Sequence, residues 1–137
     1  ETELLRALDA TLRTLRTLRE AHGIDRSSSL NLFVSDGRQQ LALRFTFDFG
    51  RYSLDPNKMH EANSNFLSLW ATMGSEFSPD ANGRWAMRGG SCAHATILAS
   101  EPLTRDTTGW VEVGEYTAVT VTRSGDELLL RTTEMDA

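Results

Sequence analysis

One strand-like segment, residues 40–49, constrains most strongly what this chain can fold into. Its residues alternate, so that one face carries only large apolar side chains: Leu41, Leu43, Phe45, Phe47 and Phe49. The opposite face is smaller and more polar: Ala42, Arg44, Thr46 and Asp48. A sheet face with five large apolar side chains must be covered by a second layer, because leaving them in water is unfavourable. The pattern therefore predicts a layered fold.

The N-terminal segment, residues 2–22, is the expected covering layer. Leucines recur at spacings of three and four residues along one stripe, which predicts an amphipathic helix: Leu5, Leu8, Leu12 and Leu15. Thr2 can cap the first turn, and Gly23 suits the left-handed conformation that often follows the last turn. We expect the leucine stripe to pack on the apolar face of the 40–49 strand.

The remaining signals predict strands joined mostly by hairpins. A strand at 30–34 precedes the Asp36-Gly37 turn, a common hairpin signal. Further strands are predicted at residues 66–73, 95–99, 111–113, 117–122 and 127–133. Residues 50–65 are predicted to form a loop. Residues 74–90 show turn signals, and Trp85 and Met87 fit either a strand or an anchored loop. One helix and about six strands indicate an α+β domain.

The predicted strand at 95–99 ends in a polar corner. The strand is short and apolar, so we expect it to be buried on both faces. Pro102 fixes its own φ and holds Glu101 in an extended conformation, which ends the strand in a defined turn. The Ser100 hydroxyl and the Glu101 carboxylate then stand at the strand tip, where they either lock the loop or line a site.

Composition limits the class of protein. The chain has 137 residues, of which 39% are hydrophobic, enough for one domain with a core. Its net charge is −5 and it has no basic stripe, which argues against nucleic acid as a partner. A single cysteine excludes an intrachain disulfide. No apolar run has the length of a membrane span and no signal peptide is visible, so we expect a cytoplasmic protein without membrane contact.

Neither a metal site nor a catalytic group is predicted from these residues alone. The three histidines, His22, His60 and His94, lie far apart, and none has a second ligand one helical turn away. We therefore expect no metal and no other cofactor. Cys92 and His94 would share a face in a strand, which is the minimum for thiol catalysis. A small buried thiol next to a core strand is the favoured interpretation.

Several segments, in order along the chain, resemble the end of a class II glutamine amidotransferase domain. This family belongs to the N-terminal-nucleophile hydrolases. The segments are Ser28-Ser29-Leu30-Asn31-Leu32, Ser35-Asp36-Gly37, Leu43-Arg44-Phe45, Ser68-Leu69-Trp70, Ala99-Ser100-Glu101-Pro102-Leu103 and Gly109-Trp110-Val111-Glu112-Val113. The branch that they resemble most contains the fungal glutathione-degradation amidotransferase, its bacterial relatives and the amidohydrolase of ergothioneine synthesis.

The resemblance implies that residues 1–137 are the C-terminal half of one such domain. The implied fold is α+β: half of an α-β-β-α sandwich of the N-terminal-nucleophile hydrolases, with mostly antiparallel sheets. The family cleaves a γ-glutamyl or glutamine-type amide with a cysteine at the first residue of the mature chain, whose α-amino group is the general base. Here the first residue is Glu1, so the resemblance implies a catalytic cysteine upstream and no catalytic residue in this stretch. This stretch alone is then inactive. A degenerate relative without catalysis is the other interpretation.

Six residues are candidates for the substrate cleft or its scaffold: Ser28, Ser29, Asn31, Arg44, Ser100 and Glu101. The first three belong to a central strand in the resemblance, which favours a scaffold role. Arg44 can pair with a carboxylate, for which Glu101 is a candidate partner, or bind an acidic substrate.

The resemblance also implies partners. These are the N-terminal half of the domain, a small γ-glutamyl substrate of the glutathione or ergothioneine-precursor type, and either a peptidase or further copies of the chain. A non-catalytic, β-rich protein-interaction module is the alternative function.

Overall fold

The computed structural model describes residues 2–48 and 67–136. These residues form one helix and nine strands. The elements are α1 (Glu3–Ala21), β1 (Ser28–Ser35), β2 (Gln39–Phe47), β3 (Trp70–Gly74), β4 (Glu76–Pro79), β5 (Trp85–Arg88), β6 (Ala95–Ala99), β7 (Val111–Glu112), β8 (Thr117–Ser124) and β9 (Glu127–Glu134). The predicted loop at 50–65, and Phe49 in the predicted apolar row, lie outside the described residues.

Helix α1 begins and ends where its sequence signals predict. The Leu5 amide donates a hydrogen bond of 3.2 Å to the Thr2 hydroxyl, which confirms the N-cap. Gly23 has a φ of 64°, the left-handed conformation expected after the last turn. Within the described residues, no helix is long and apolar enough to cross a membrane.

Two antiparallel sheets contain most of the strands. The first sheet has the order β1-β2-β8-β9, and the second sheet has the order β6-β3-β7. Strands β4 and β5 form a separate two-stranded hairpin. Residues opposite each other in the register share a face, so Asn31, Arg44 and Thr117 lie on one side of the first sheet. The prediction of an α+β fold with mostly antiparallel sheets is confirmed at this level.

The apolar face of β2 packs against α1, as its alternation predicts. Three leucines of the helix and four large residues of β2 form one buried cluster: Leu5, Leu8, Leu12, Leu41, Leu43, Phe45 and Phe47. Leu15, the last leucine of the predicted stripe, is exposed. The helix therefore covers the first sheet through its N-terminal three turns.

The opposite face of the first sheet packs against the second sheet. This second core contains side chains from both sheets: Ala42, Leu69, Ala71, Val113 and Val119, with Leu98 and Leu130 beside them. The described residues thus form three layers in the order helix, first sheet, second sheet. No second helix is present among them.

One sequence prediction about the strands was wrong, and one stretch that the sequence left open is now assigned. Residues 95–99 do form strand β6, but all five are only half-buried, because β6 is an edge strand with β3 as its single neighbour in the second sheet. Residues 74–90 contain the β4–β5 hairpin, whose turn is closed by Asp80 accepting the amides of Asn82 and Arg84. Four-residue strands carry too little alternation to be recognised.

Candidate functional site

A row of polar side chains lies at one end of the space between the two sheets. On β1 and β2, every second residue faces the second sheet. At this end those residues are Ser29, Asn31, Arg44 and Thr46, and the register places Ser29 opposite Thr46 and Asn31 opposite Arg44. We call these four residues the inter-sheet polar row. Three of them were candidates from the sequence, and the structure brings these three together.

Arg44 is the buried charge of this row. It is 5% exposed. Its Nη1 donates to Glu112 Oε1 at 2.8 Å and to the Val113 carbonyl at 2.7 Å. Its Nε lies 3.3 Å from Glu115 Oε2. The guanidinium therefore joins β2 of the first sheet to β7 and to the turn that follows it.

The predicted pairing of Arg44 with Glu101 was wrong. In the second sheet, β3 separates β6 from β7, and Glu101 lies just beyond β6, whereas Arg44 reaches the β7 side. Glu101 is exposed. Because Glu112 and Glu115 already balance the charge of Arg44, the geometry favours a structural ion pair over capture of an acidic substrate.

Ser29, Thr46 and Glu115 form a hydrogen-bonded chain. Thr46 Oγ1 donates to Glu115 Oε1 at 2.6 Å. The Ser29 and Thr46 hydroxyl oxygens are 2.9 Å apart. Since the Thr46 proton is directed to the carboxylate, Ser29 is the donor in the second bond. Through these hydrogen bonds, Glu115 contacts the edge strand β1 as well as Arg44.

Asn31 connects the row to the second sheet. Its Nδ2 donates to the Ser68 carbonyl at 2.7 Å, and the Ser68 hydroxyl donates to the Ser100 carbonyl at 2.7 Å. Ser100 thus contributes its main chain to the site. Asn31 Oδ1 is buried and has no hydrogen-bond partner among the described residues. An unsatisfied buried acceptor of this kind is uncommon in folded proteins.

Ser28 lies outside the polar row. It is paired with Phe47, on the face of the first sheet that α1 covers, and its hydroxyl accepts a 2.9 Å bond from Arg19 Nη1. The sequence analysis missed three members of the site, namely Thr46, Glu112 and Glu115. The alternation of β2 contained the signal for Thr46, since it has the same parity as Arg44.

A groove of about 630 Å³ opens beside the polar row. It runs between β8 and β9 of the first sheet and β3 and β7 of the second. Most of its lining is apolar, including Ala71, Met73, Val113, Val119 and Leu130. Glu112 and two threonines, Thr72 and Thr117, add polar groups. The two sheets therefore leave room between them for further apolar groups on the β7 side.

Cys92 and His94 do not form a thiol–imidazole pair through Nδ1. His94 Nδ1 lies 2.8 Å from the Asp126 carbonyl, which can only accept, so this nitrogen bears the proton. A hydrogen bond from the Cys92 thiol to Glu127, together with the negative charge of that carboxylate, raises the pKa of Cys92. A raised pKa keeps the thiol protonated near neutral pH, which is the opposite of an activated nucleophile.

We expect Cys92 to react more slowly with iodoacetamide than an unstructured cysteine at about pH 8, because its raised pKa lowers the thiolate fraction. Glu127→Gln removes the negative charge, lowers the pKa of Cys92 and should increase the alkylation rate several-fold. Mass spectrometry of timed samples measures the rate. Glu134→Gln, at the far end of the same strand, is the control and should leave the rate unchanged. Equal rates for Glu127→Gln and the parent chain would contradict the assigned contact.

The site thus provides donors, acceptors and one buried cation at the edge of an apolar groove. In the described ranges, no group of three or more His, Cys, Asp or Glu side chains could hold a metal ion. Comparison of the chain with protein-family models, with curated proteins and with solved structures gave no match. The interpretation of the site therefore rests on the geometry described above.

Proposed function

We propose that this chain is the scaffold half of an N-terminal-cysteine amidohydrolase that cleaves a γ-glutamyl or glutamine-type amide. The observation that carries the proposal is the layer order, in which one helix covers a four-stranded antiparallel sheet and that sheet packs on a three-stranded one. An α-β-β-α sandwich has this order in three of its four layers, which supports the proposal. The order in which the sequence segments resemble the amidotransferase family supports the same assignment.

The groove between the two sheets supports the idea that the apolar core of this chain is completed by another segment. Val111, on the two-residue strand β7, is exposed although it lines this apolar groove. Strand β7 is also an edge, since β3 is its single partner among the described residues. In the proposal, strands from the other half of the domain extend the second sheet beyond β7 and fill the groove. Burial of the apolar lining then stabilises the association of the two halves.

The polar row has a positioning role in this proposal. Arg44 fixes β7 and Glu115 against the first sheet, which sets the width of the groove at its polar edge. Asn31 retains one buried acceptor, Oδ1, for a donor from the other half or from substrate. The nucleophilic thiol comes from the other half, attacks the amide carbon and expels the amine, and water then releases the γ-glutamyl group as glutamate. A lone cysteine suits a reducing compartment, so the proposal places the reaction in the cytoplasm.

A non-catalytic interaction module is the second candidate function. One observation favours it: the β4–β5 hairpin presents Trp85, which is exposed, stacked against Phe77 with ring centroids 5.4 Å apart. Exposed aromatic residues are common in protein interfaces. In that case the polar row stabilises the sandwich and the chain functions without a catalytic half.

An experiment on the protein isolated from its natural source distinguishes the two candidate functions. Intact-mass analysis is expected to find, attached to or co-purifying with this chain, a segment whose first residue is cysteine. That assembly should release ammonia from glutamine or glutamate from glutathione. Replacing the N-terminal cysteine with alanine should abolish hydrolysis, whereas Cys92→Ser should leave the rate unchanged.

Two outcomes would overturn the amidohydrolase. The first is that the mature protein from its natural source contains this chain without such a segment and does not hydrolyse glutamine or γ-glutamyl amides. The second is loss of hydrolysis in Cys92→Ser, which would transfer the nucleophile to this chain. Binding of a partner protein that is lost in Trp85→Ala, in the absence of any hydrolysis, would establish the interaction module.

A further inference from the structure

A second pocket lies at the opposite end of the space between the sheets. Its volume is about 330 Å³. It is bounded by the two hairpin turns of the first sheet, β1–β2 and β8–β9, and by the start of β6. Gln40 in this pocket and Arg44 in the polar row are four residues apart on β2, a separation of about 13 Å along a strand. The pocket is therefore distinct from the candidate amidohydrolase site.

The strand alternation directs polar side chains into this pocket. Gln40 has the same parity as Ala42 and Arg44, so it faces the second sheet. Its neighbour across the β2–β8 pair is Val121, and Arg123 follows two residues later on the same face. Arg38 joins them from the β1–β2 turn, and His94 lies on the opposite side at the start of β6.

The two arginines of this pocket differ from Arg44 in having no acidic partner. Among the described residues, neither Arg38 nor Arg123 forms an ion pair with a carboxylate. Two acids beside these turns make hydrogen bonds to other groups. Asp36 accepts the amides of Arg38 and Gln39, which lowers its pKa, and Glu127 accepts the Cys92 thiol. Neither guanidinium is therefore committed to a carboxylate of the described residues, so both can donate to an anion in the pocket.

His94 and Thr96 add polar groups to the lining. Because His94 Nδ1 bears a proton that is bonded to the Asp126 carbonyl, its Nε2 is an acceptor, which suits a hydroxyl on the organic group of the ligand and not the phosphate itself. Thr96 Oγ1 donates to the Thr72 carbonyl at 2.9 Å, so its oxygen can still accept a bond. The Gln40 amide provides a donor and an acceptor. These groups come from both sheets and from one turn, so they lie on several sides of the pocket.

We propose that this pocket binds a small phosphomonoester. A planar carboxylate is satisfied by one guanidinium fork, whereas a tetrahedral dianion accepts donors from several directions and balances two guanidinium charges. The volume lies at the lower end of the range of about 300–1,000 Å³ that is usual for ligand pockets, which suits a phosphate with a short organic group. This inference is independent of the proposed amidohydrolase activity.

Isothermal titration calorimetry tests the proposal. The chain is titrated separately with glycerol 3-phosphate, inorganic phosphate and succinate at constant ionic strength. We expect one binding site, with the phosphomonoester bound at least as tightly as inorganic phosphate and succinate bound about tenfold more weakly. Arg123→Gln and Arg38→Gln should each weaken binding of the phosphomonoester by about tenfold. Arg6→Gln, an exposed arginine of α1, is the matched control and should leave the affinity unchanged.

Three results would overturn the proposal. One is that Arg123→Gln and Arg38→Gln bind glycerol 3-phosphate as tightly as the control variant Arg6→Gln does. Another is succinate bound as tightly as the phosphomonoester, which would show an unselective anion site. The third is binding of inorganic phosphate without binding of the ester, which would assign the pocket to the free ion. Circular dichroism of each variant checks that the fold is retained.

Discussion

Replacing Phe45 with alanine is expected to lower the free energy of unfolding by about 4 kcal/mol. Phe45 is 1% exposed and lies at the centre of the core between α1 and the first sheet. Its ring makes edge-to-face contacts with Phe47 and Tyr116, at centroid distances of 4.9 and 5.3 Å. The substitution removes apolar burial and these ring contacts, and leaves a cavity that a sheet bound on both sides cannot close. Urea unfolding followed by circular dichroism measures the change.

Phe33→Ala is the matched control for Phe45→Ala. Phe33 is also a strand phenylalanine of the first sheet, but it is 47% exposed on the edge strand β1. Its loss should therefore lower the free energy of unfolding by less than about 1 kcal/mol. Phe45→Leu keeps most of the volume and should fall between the two, which preserves a measurable transition if the alanine variant is largely unfolded. Similar losses for Phe33→Ala and Phe45→Ala would contradict the assigned core.

The layer that involves α1 could be predicted because it depends on local periodicity. The leucine spacing of α1 and the alternation of β2 each define an apolar face, and each face needs a partner. Because the described residues contain one helix, the apolar face of β2 has one helical partner to pack against. The observed cluster of Leu5, Leu8 and Leu12 with the β2 row follows from this argument.

The strand order could not be predicted in the same way. The position of β3 between β6 and β7 brings together segments separated by long loops, and no local pattern encodes such an order. Two errors follow from this. Strand β6 was expected to be buried on both faces and is a half-buried edge strand, and Glu101, the candidate partner of Arg44, lies on the β6 side.

The members of the candidate site that could be predicted are those whose position depends on the alternation of side chains along a strand. Ser29 and Asn31 have odd numbers on β1 and face the second sheet, whereas Ser28 has the opposite parity and faces α1. This distinction could have been made from the hairpin register alone, since the Asp36-Gly37 turn fixes which residues are opposite. The acidic partners of Arg44 depend instead on how the two sheets are packed, which required the structure.

Replacing Arg44 with alanine is expected to lower the free energy of unfolding by about 3 kcal/mol, at the lower end of the range for breaking a buried ion pair. The Val113 carbonyl loses its donor, and Glu112 and Glu115 lose their shared counter-ion. The loss stays at the lower end because the Glu112 side chain is 46% exposed, so water can hydrate that carboxylate when the guanidinium is absent. Urea unfolding at constant ionic strength measures the change.

Arg13→Ala separates this effect from the general loss of an arginine. Arg13 forms an ion pair of 2.8 Å with Asp9, one turn away on the exposed face of α1. Exposed pairs of this spacing contribute about 0.5 kcal/mol or less, so the control should unfold almost as the parent chain does. Arg44→Lys retains the charge but loses the guanidinium fork that reaches Glu112 and the Val113 carbonyl together, and should recover only part of the stability. If Arg44→Ala were no more destabilising than Arg13→Ala, Arg44 would not hold the two sheets together.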